Sequence, residues 1–591
     1  MKLHPVDLAI VAVYLAFLAM LGVWLKKRAT AGLDSYYLAG RNIPWWMLGL
    51  SGCSSYIDIG GTMGMVGLLY YVGLKGLWAT HLYWGWFIIC FYMAFQAKWI
   101  RRSGVMTFAE WNEVRFGPGR DTEYARLAAA VFLLVLMIFN LAFMSVGIGK
   151  FGEEVLGIER WQASIVIFSV VGVYVTLGGF FGVIYTDILQ TILIFIGASV
   201  FAVMAISSGA ASEILQTRPD AWGRLAPVWE LWSGFTDATP ESYRHFAAFG
   251  PLLLAGSFWC IFRVLAGPNV WDFQFFLTAR SPRDAALASG VWTVGYTARW
   301  VLASALLVLG VSMLDPASVV DGEKIMPQVL GKLQVGLRGF ILAVLLAALM
   351  STLDAMINVT SSVVVNDFLK RYFVRGLSER TLVRLGQVAS AAALLAGFGL
   401  SIAFTDIVSA WETMVFAVVT VVLVPSTFRW HWWRFGPRGF ALAMAASAAF
   451  LVLRIIAVQG QPHRVTLPID VLGCLIITLG AAFLTRPAGM DVLVRFYARV
   501  RPFGFWGPVR REAVARGLVP AGDRMPAIDI LNGLLSAVFQ FSLAAIPFCG
   551  LLGLKRQALA WAGAAIVLAA ILYVTWYRTL PARDEETAEG R

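Results

Sequence analysis

The feature that most constrains this chain is a succession of about fifteen long apolar stretches, each able to cross a bilayer as a helix. Lipid offers no hydrogen-bond partner to a free backbone amide, so a crossing segment must be helical or belong to a closed barrel. With 59% hydrophobic and 14% charged residues, the 591-residue chain lacks the polar surface of a water-soluble fold. The sequence therefore predicts an all-α membrane protein of about fifteen spans.

The charge distribution fits a membrane protein better than a nucleic-acid-binding one. The net charge is +12, and most of the 47 lysine and arginine residues fall on one side when alternate loops are assigned to opposite sides. Basic pairs at 101–102, 370–371 and 510–511 share that side. Because cytoplasmic loops carry this bias, we expect a multi-pass protein of the cell (inner) membrane and no nucleic-acid partner. Its N-terminus would lie outside and its C-terminus in the cytoplasm.

The chain carries no pattern typical of an enzyme. The longest polar gaps, 207–244 and 485–529, are too short for independent catalytic domains. No HExxH or GxSxG pattern is present, and the five histidines are scattered. The five cysteines stand singly in apolar stretches, which predicts structural thiols rather than redox or metal chemistry. We therefore expect no enzyme activity, no cofactor and no metal beyond a coupling ion.

Six short motifs follow one another between residues 34 and 435. They are DSYYLAGR (34–41) before PWW (44–46), GVMTFAEW (104–111) before RFG (115–117), TLGG (176–179) before Thr186, Asp187 and Gln190, QFFLTARS (274–281), AALMSTLD (347–354) before Asn358 and Asp367, and RWHWWR (429–434). In content and order they resemble the motifs of the sodium/solute symporter family. The fourth motif, interpreted as a loop, departs from the family pattern in having Phe275 where an arginine is usual.

This resemblance implies the leucine-transporter fold, a five-plus-five inverted repeat with extra N- and C-terminal helices. The implied division is an extra helix (1–30), a first repeat of spans 2–6 (31–206), an extracellular loop (207–244), a second repeat of spans 7–11 (245–428), spans 12–13 (429–485), a cytoplasmic basic loop (486–529), and spans 14–15 with a tail (530–591). Within the basic loop, 495–524 is open to two interpretations, an interfacial segment on anionic lipid or a solvated loop.

Two apolar segments in matching places of the two halves are interrupted by glycine or proline. Span 2 carries SGCSS (51–55) and Gly60-Gly61, and span 7 carries Gly250-Pro251 and Gly267-Pro268. Such paired interruptions indicate a binding site near the membrane midplane, since unwound backbone can turn carbonyls and helix ends toward a solute or cation. We therefore expect helix 2 to break near residue 54.

A sodium site is predicted where span 9 faces this break. Sodium is a small, hard cation that prefers carbonyl and hydroxyl oxygens. Ser351 and Thr352 offer adjacent hydroxyls in mid-span, and Ala348 offers a carbonyl one turn earlier. By resemblance to the family, the partners in span 2 are Ser54 and Ile57. The alternative is that both hydroxyls only bond back to their own helix.

Two carboxylates within apolar spans point to a second cation or to an ion exit. Asp187 in span 6 and Asp354 in span 9 would each cost about 2.5–3.5 kcal/mol or more at the membrane centre unless paired or facing a pathway. With Ser351 they are able to frame a cation. The alternatives are hydration of Asp187 near an interface and hydrogen bonding of Asp354 to a neighbouring hydroxyl or to Asn358.

The solute-binding residues are less constrained than those of the ion site. Asp58 falls in the middle of span 2, where relatives often carry a small polar residue. It is open to two interpretations, contact with substrate hydroxyls or a substrate ammonium, and pairing with Arg263 or Arg299.

Asn140 matches a position that contacts sugar in sugar-transporting members of the family. Three further sugar-contacting positions, Gln, Glu and Lys in those members, are Gly61, Thr80 and Tyr296 here. Arg299 lies one helical turn beyond Tyr296 and is able to grip a carboxylate in bidentate fashion. Sugar or polyol, carboxylate and amino-acid-like solutes therefore all stay open.

The function predicted on these grounds is sodium-coupled import of a small polar organic solute by alternating access. Two alternatives remain open, proton coupling in the same fold through Asp58 or Asp187, and a transporter-like solute sensor. The expected partners are Na⁺, the solute and the lipid bilayer, and the sequence does not give the oligomeric state.

Overall fold

The computed structural model describes residues 3–29, 33–105, 107–217, 222–237, 239–267, 270–314, 321–373, 376–458, 461 and 463–581. Across these ranges the chain is helical, without a named β-strand. Eleven helices are long and apolar enough to cross a membrane, or up to 13 if each of two bent helix pairs is one span. Two further stretches of the first repeat are also helical: the chain within 76–103 is divided into short helical pieces, and the helix Arg160–Ser207 is kinked at Gly179, so that it comprises two spans.

We number the spans as in the sequence. They comprise Pro5–Ala29 (span 1), Trp45–Ser54 with Ile59–Val72 (2), the pieces within 76–103 (3), Arg120–Leu156 (4), Arg160–Ser207 kinked at Gly179 (5 and 6), Phe249–Leu265 with Val270–Thr278 (7), Pro282–Gly295 with Thr297–Met313 (8), Leu337–Ser362 extended by Val363–Phe373 (9), Glu379–Ser401 (10), Ile407–His431 (11), Pro437–Ala457 (12), His463–Leu484 (13), Met525–Leu551 (14) and Lys555–Thr575 (15).

Span 2 is broken as the sequence predicts. Its first half ends at Ser54, its second half begins at Ile59, and the chain bends by 60° between Trp45–Ser54 and Ile59–Tyr83. Asp58 caps the second half, because its carboxylate accepts a hydrogen bond of 2.5 Å from the backbone N–H of Gly61. The residues between the two halves are buried, so their backbone groups face protein rather than lipid.

Span 7 is longer than predicted. A stretch expected to be a loop, 274–281, begins as helix, because Val270–Thr278 continues the span after a turn at Gly267. Gly267 has φ +97°, and a side chain there would overlap the indole of Trp430. Its neighbour Pro268 lies outside the described residues, as do residues 30–32 and 582–591 of the predicted terminal segments.

The basic segment 486–529 is not a plain loop. It contains two helices, Met490–Val500 and Gly507–Ala515. Phe496 and Trp506 stack on each other with centroids 5.4 Å apart, and the guanidinium of Arg115 lies over both rings. Burial lowers the pKa of Arg115 to about 9. Neither alternative for 495–524, an interfacial segment or a solvated loop, included this aromatic face, which packs against Arg115.

Candidate functional site

The break in span 2 meets the middle of span 9. The Ser351 hydroxyl donates to the backbone oxygen of Ser54 at 3.0 Å and lies 3.0 Å from that of Ala348. The Thr352 hydroxyl lies 3.2 Å from the same Ala348 oxygen. Ser351 is fully buried and Thr352 is 3% exposed. Two hydroxyls and two carbonyls thus converge where the sequence predicts a sodium site.

Ile57, the remaining residue of that predicted site, lies inside the break. Its backbone N–H donates to Ser54 O at 2.9 Å, and its side chain is fully buried. Ser54 O therefore receives hydrogen bonds from both Ile57 and Ser351. The local hydrogen bonds of the alternative are also present, because the Ser351 and Thr352 hydroxyls both bond the Ala348 carbonyl of their own helix.

Asp187 and Asp354 form a buried acidic pair beside the oxygen cluster. Both are fully buried, and their carboxylates interact electrostatically. One carboxylate oxygen of Asp187 accepts the Ser51 hydroxyl, and the other has no hydrogen-bond partner among the described residues. The alternative of a hydrated Asp187 near an interface is wrong, because its side chain is fully buried. Two adjacent carboxylates out of water need a positive charge or a proton to balance them.

A cavity of about 40 Å³ lies next to this region. Its lining includes Asp58, Asn140, Thr352, Arg263 and aromatic side chains of spans 2, 3, 4 and 11, namely Tyr56, Trp84, Trp86, Phe143 and Trp411. A cavity of that size holds about three water molecules. Pockets for small ligands measure about 300–1,000 Å³, so the walls must move apart to admit a solute.

Asp58 also lines a smaller cavity of about 20 Å³, together with Arg299. The two side chains form an ion pair at 3.6 Å, which selects Arg299 over Arg263 as the partner. Arg299 also donates to the backbone oxygen of Tyr56 and lies 4.9 Å from the centroid of the Trp86 ring. A side chain at Gly61 would overlap both charged groups, so the glycine leaves room for the pair.

The other two predicted solute residues differ in position. Asn140 lines the cavity, and its amide donates to Leu136 O of its own helix at 2.8 Å. Tyr296 is fully buried behind Trp86, with ring centroids 5.6 Å apart, and its hydroxyl accepts from Arg299 at 3.2 Å. Tyr296 therefore contacts the residues that line the cavities without lining a described cavity itself.

Sequence reasoning missed a second carboxylate near the cavity. Asp272, in the second half of span 7, accepts the hydroxyls of Tyr56 and Tyr92, each at 2.5 Å. It is fully buried and faces the broken segment of span 2 through Tyr56. An acidic residue following the Gly267-Pro268 interruption of an apolar span was the available signal.

An ion-pair cluster lies next to Ile407 and Val408, which line the smaller cavity. Lys150 of span 4 contacts Glu323 at 2.6 Å and Asp321 at 2.5 Å. Glu323 also accepts the backbone N–H groups of Ile407 and Val408 at the start of span 11, at 3.2 and 3.1 Å. Burial raises the pKa of Glu323, and the Lys150 ammonium opposes that rise. A lysine inside the apolar span 4 was the sequence signal for this cluster.

No group of three or more His, Cys, Asp or Glu side chains able to hold a metal occurs in the part of the chain that the structure describes. All five cysteines are buried free thiols.

Comparisons with known proteins find matches over most of the chain. The sequence model of the sodium:solute symporter family matches residues 36–445. Sodium/glucose cotransporter 4 of Danio rerio is 29% identical over 417 residues, which are 65% of this chain and 61% of that protein. The sodium/glucose cotransporter of Vibrio parahaemolyticus is 26% identical over 420 residues, which are 66% of this chain and 73% of that protein.

Among solved structures, a Na⁺-coupled sialic acid symporter in its substrate-bound outward-open state superposes with a TM-score of 0.64 at 19% identity. The match covers 83% of this chain and 99% of the other. The predicted fold class, an all-α membrane protein of the leucine-transporter type, is confirmed.

Proposed function

The chain belongs to the sodium:solute symporter family, and from that premise we propose that it imports a small polar organic solute together with Na⁺ by alternating access. Members of the family are transporters, so the chain is a transporter and not an enzyme. The observation that carries the proposal is the contact of 3.0 Å between the Ser351 hydroxyl and Ser54 O at the break of span 2.

The proposed sodium ligands are the carbonyl oxygens of Ser54, Ile57 and Ala348 and the hydroxyl oxygens of Ser351 and Thr352. Neutral oxygens suit a hard monovalent cation, because one positive charge needs little compensation. In the structure the hydroxyl protons bond carbonyls of the same set, which keeps the oxygens close together. Sodium replaces these hydrogen bonds when it binds.

Coupling follows from what the two sites share. Thr352 is a proposed sodium ligand and also lines the cavity, and the break of span 2 supplies both Ser54 and Asp58. Sodium that joins span 9 to the break therefore favours one arrangement of the cavity wall. Each ligand then stabilises the conformation that the other prefers, which is the condition for thermodynamic coupling.

Solute is proposed to bind between the aromatic walls, against Asp58, Arg299 and Asn140, with Tyr296 supporting Arg299. The indole rings suit the apolar faces of a sugar or polyol, and the ion pair suits hydroxyls or charged groups. The relatives named for glucose favour a sugar. The replacement of Gln, Glu and Lys by Gly61, Thr80 and Tyr296 argues against the same binding pose, so carboxylates and amino-acid-like solutes remain in the proposed set.

Asp187 and Asp354 are proposed to hold a second cation or to guide Na⁺ on its way out. Their burial beside each other supports this role, because a cation would balance both charges. The same observation favours a second candidate function, proton-coupled transport, in which one carboxyl carries the proton. An inner-membrane location with the N-terminus outside and the C-terminus in the cytoplasm is proposed from the charge bias.

A thermal-shift panel on detergent-purified protein tests the proposal. D-glucose, myo-inositol, N-acetylneuraminic acid, lactate and L-proline are each added in NaCl and in KCl of equal concentration. We expect one compound to raise the melting temperature in NaCl only, followed by its sodium-dependent uptake into proteoliposomes. Uptake that follows a pH gradient and ignores sodium would establish the proton-coupled alternative. Binding without uptake would instead indicate a sensor.

A further inference from the structure

Span 3 is an irregular helix, and two residues at its break line the cavity. It contains π-helical turns at Ala79–Tyr83 and Tyr92–Gln96, and the chain leaves the helix at Trp84–Phe87. Trp84 and Trp86 from this break line both cavities beside Asp58. Backbone groups that a broken helix frees inside a membrane must find partners in the protein, because lipid offers none.

At the break of span 3, Gln540 of span 14 provides hydrogen-bond partners for the freed backbone groups. In a continuous α-helix the N–H of Cys90 would donate to the carbonyl of Trp86, four residues earlier. Here the Cys90 N–H donates to Oε1 of Gln540 at 3.1 Å, and Nε2 of Gln540 donates to Trp86 O at 2.9 Å. The side-chain amide thus bridges the donor and the acceptor of one helical turn. Gln540 is 1% exposed, so no water competes for these bonds.

Other residues in or next to spans 14 and 15 also contact span 3 near its irregular turns. The Ser536 hydroxyl, one turn before Gln540, donates to Cys90 O at 3.2 Å. Trp576, just after span 15, donates its indole N–H to Met93 O at 2.8 Å, beside the second π-turn. Lys98 of span 3 pairs with Asp529 of span 14, and both are buried. Asp529, Gly533, Ser536 and Gln540 form one stripe of span 14, with spacings of four, three and four residues.

Trp86 connects this bridge to the charged pair of the cavity. Its ring lies under the Arg299 guanidinium at 4.9 Å and runs parallel to Trp411, with an interplanar angle of 6° and centroids 5.8 Å apart. A shift of the Trp86 backbone therefore moves the surface on which Arg299 rests. Gln540 itself lines neither cavity.

We infer that Gln540 is a positioning residue for the solute cavity, because its amide bridges the break of span 3 and holds Trp86 against Arg299. The family match ends at residue 445, so the residue that supports Trp86 from behind the cavity lies on a helix beyond that match. The inference rests on the proposed function only in treating this cavity as the solute site. The bridge itself is independent of any solute.

Hydrogen exchange of the full chain in lipid nanodiscs, read by mass spectrometry, tests the inference. Gln540→Met keeps the length of the side chain and removes both hydrogen bonds. We expect exchange in peptides covering 86–96 to become about tenfold faster, as fits the loss of bonds to buried backbone groups. Ser536→Ala, a milder variant, should accelerate the same peptides by a smaller factor.

Ser542→Ala is the matched control, since that hydroxyl bonds Val538 O of its own helix at 2.7 Å. It should leave 86–96 unchanged. A merely structural role for Gln540 predicts faster exchange throughout the bundle, including 347–358 of span 9 and 379–401 of span 10, and a changed midpoint for stabilisation by NaCl. The inference predicts that these segments and that midpoint stay as in the wild type.

Unchanged exchange at 86–96 in Gln540→Met, or equal acceleration everywhere, would overturn the inference. A wild-type protein that NaCl does not stabilise would instead count against the proposed sodium coupling, and the exchange result would still decide the role of Gln540.

Discussion

The hydroxyl of Ser351 lies 3.0 Å from the backbone oxygen of Ser54, which precedes it by 297 residues. Ser54 is the last residue of the first half of span 2, so this contact joins the break in one helix to the middle of another. A carbonyl at a helix end carries the negative pole of that half-helix, which adds to its attraction for a cation. The contact is the geometric basis of the proposed sodium site.

Removing either hydroxyl of the proposed cage should weaken sodium binding. We expect Ser351→Ala and Thr352→Ala each to raise the NaCl concentration for half-maximal thermal stabilisation by about tenfold, since one lost ligand is worth about 1.4 kcal/mol. Ser390→Ala is the control, because its hydroxyl bonds Gly386 O of its own helix. An equal shift in the control would mean that the assay reports general stability.

Filling the space beside the Asp58–Arg299 pair should impair solute binding and spare sodium. Gly61→Ala places a methyl group against Arg299 and both carboxylate oxygens of Asp58. We expect the solute that the thermal-shift panel identifies to lose at least about tenfold in affinity, with the NaCl midpoint unchanged. Gly399→Ala is the control, since a methyl there meets no atom within 4 Å and the residue lines neither cavity. Unchanged solute affinity in Gly61→Ala would place the solute elsewhere.

Neutralising Asp187 should relieve repulsion in the sodium-free protein. Asp187→Asn keeps an oxygen acceptor for Ser51 and removes one of two adjacent buried charges. We expect a higher melting temperature in KCl and a smaller further increase on adding NaCl. Asp237→Asn, on an exposed turn, should change neither quantity. Under the proton-coupled alternative, Asp187→Asn would remove the pH dependence of uptake.

The coupling free energy between Lys150 and Glu323 should be larger than that of a neighbouring, more exposed ion pair. We expect a double-mutant cycle of Lys150→Met and Glu323→Gln, from unfolding titrations in mixed micelles, to give a coupling of about 1–3 kcal/mol. Lys324 and Glu154, at the same end and about one-quarter exposed, provide the comparison. That pair should give less than about 1 kcal/mol. Equal couplings would show that burial does not strengthen the cluster.

The parts of the site that depend on local sequence were predictable. Small and glycine residues around 51–61 predict the break of span 2, and the adjacent hydroxyls of Ser351 and Thr352 mark the helix that faces it. The partner of Asp58 was narrowed to two arginines, since both interrupt apolar spans. In each case a residue type that is costly or unusual within a membrane helix carried the signal.

The parts that depend on distant pairing were not predictable from one sequence. Gln540 bonds residues 450 positions away, and Lys150 bonds Glu323 across 173 positions. A glutamine in an apolar span has many possible partners, and only the packing of span 14 on span 3 selects one. The helix after Gly267 was missed for a related reason, because its polar residues resemble a loop until their buried partners are known.

Binding of ²²Na⁺ to the purified protein tests the central claim most directly. The account predicts saturable binding in the wild type that unlabelled NaCl displaces and KCl does not. It also predicts that a Ser351→Ala, Thr352→Ala double variant, folded by its elution profile and melting curve, loses most of this binding. Full ²²Na⁺ binding by that double variant would contradict the account, because the ion would then sit somewhere other than between Ser54 and Ser351.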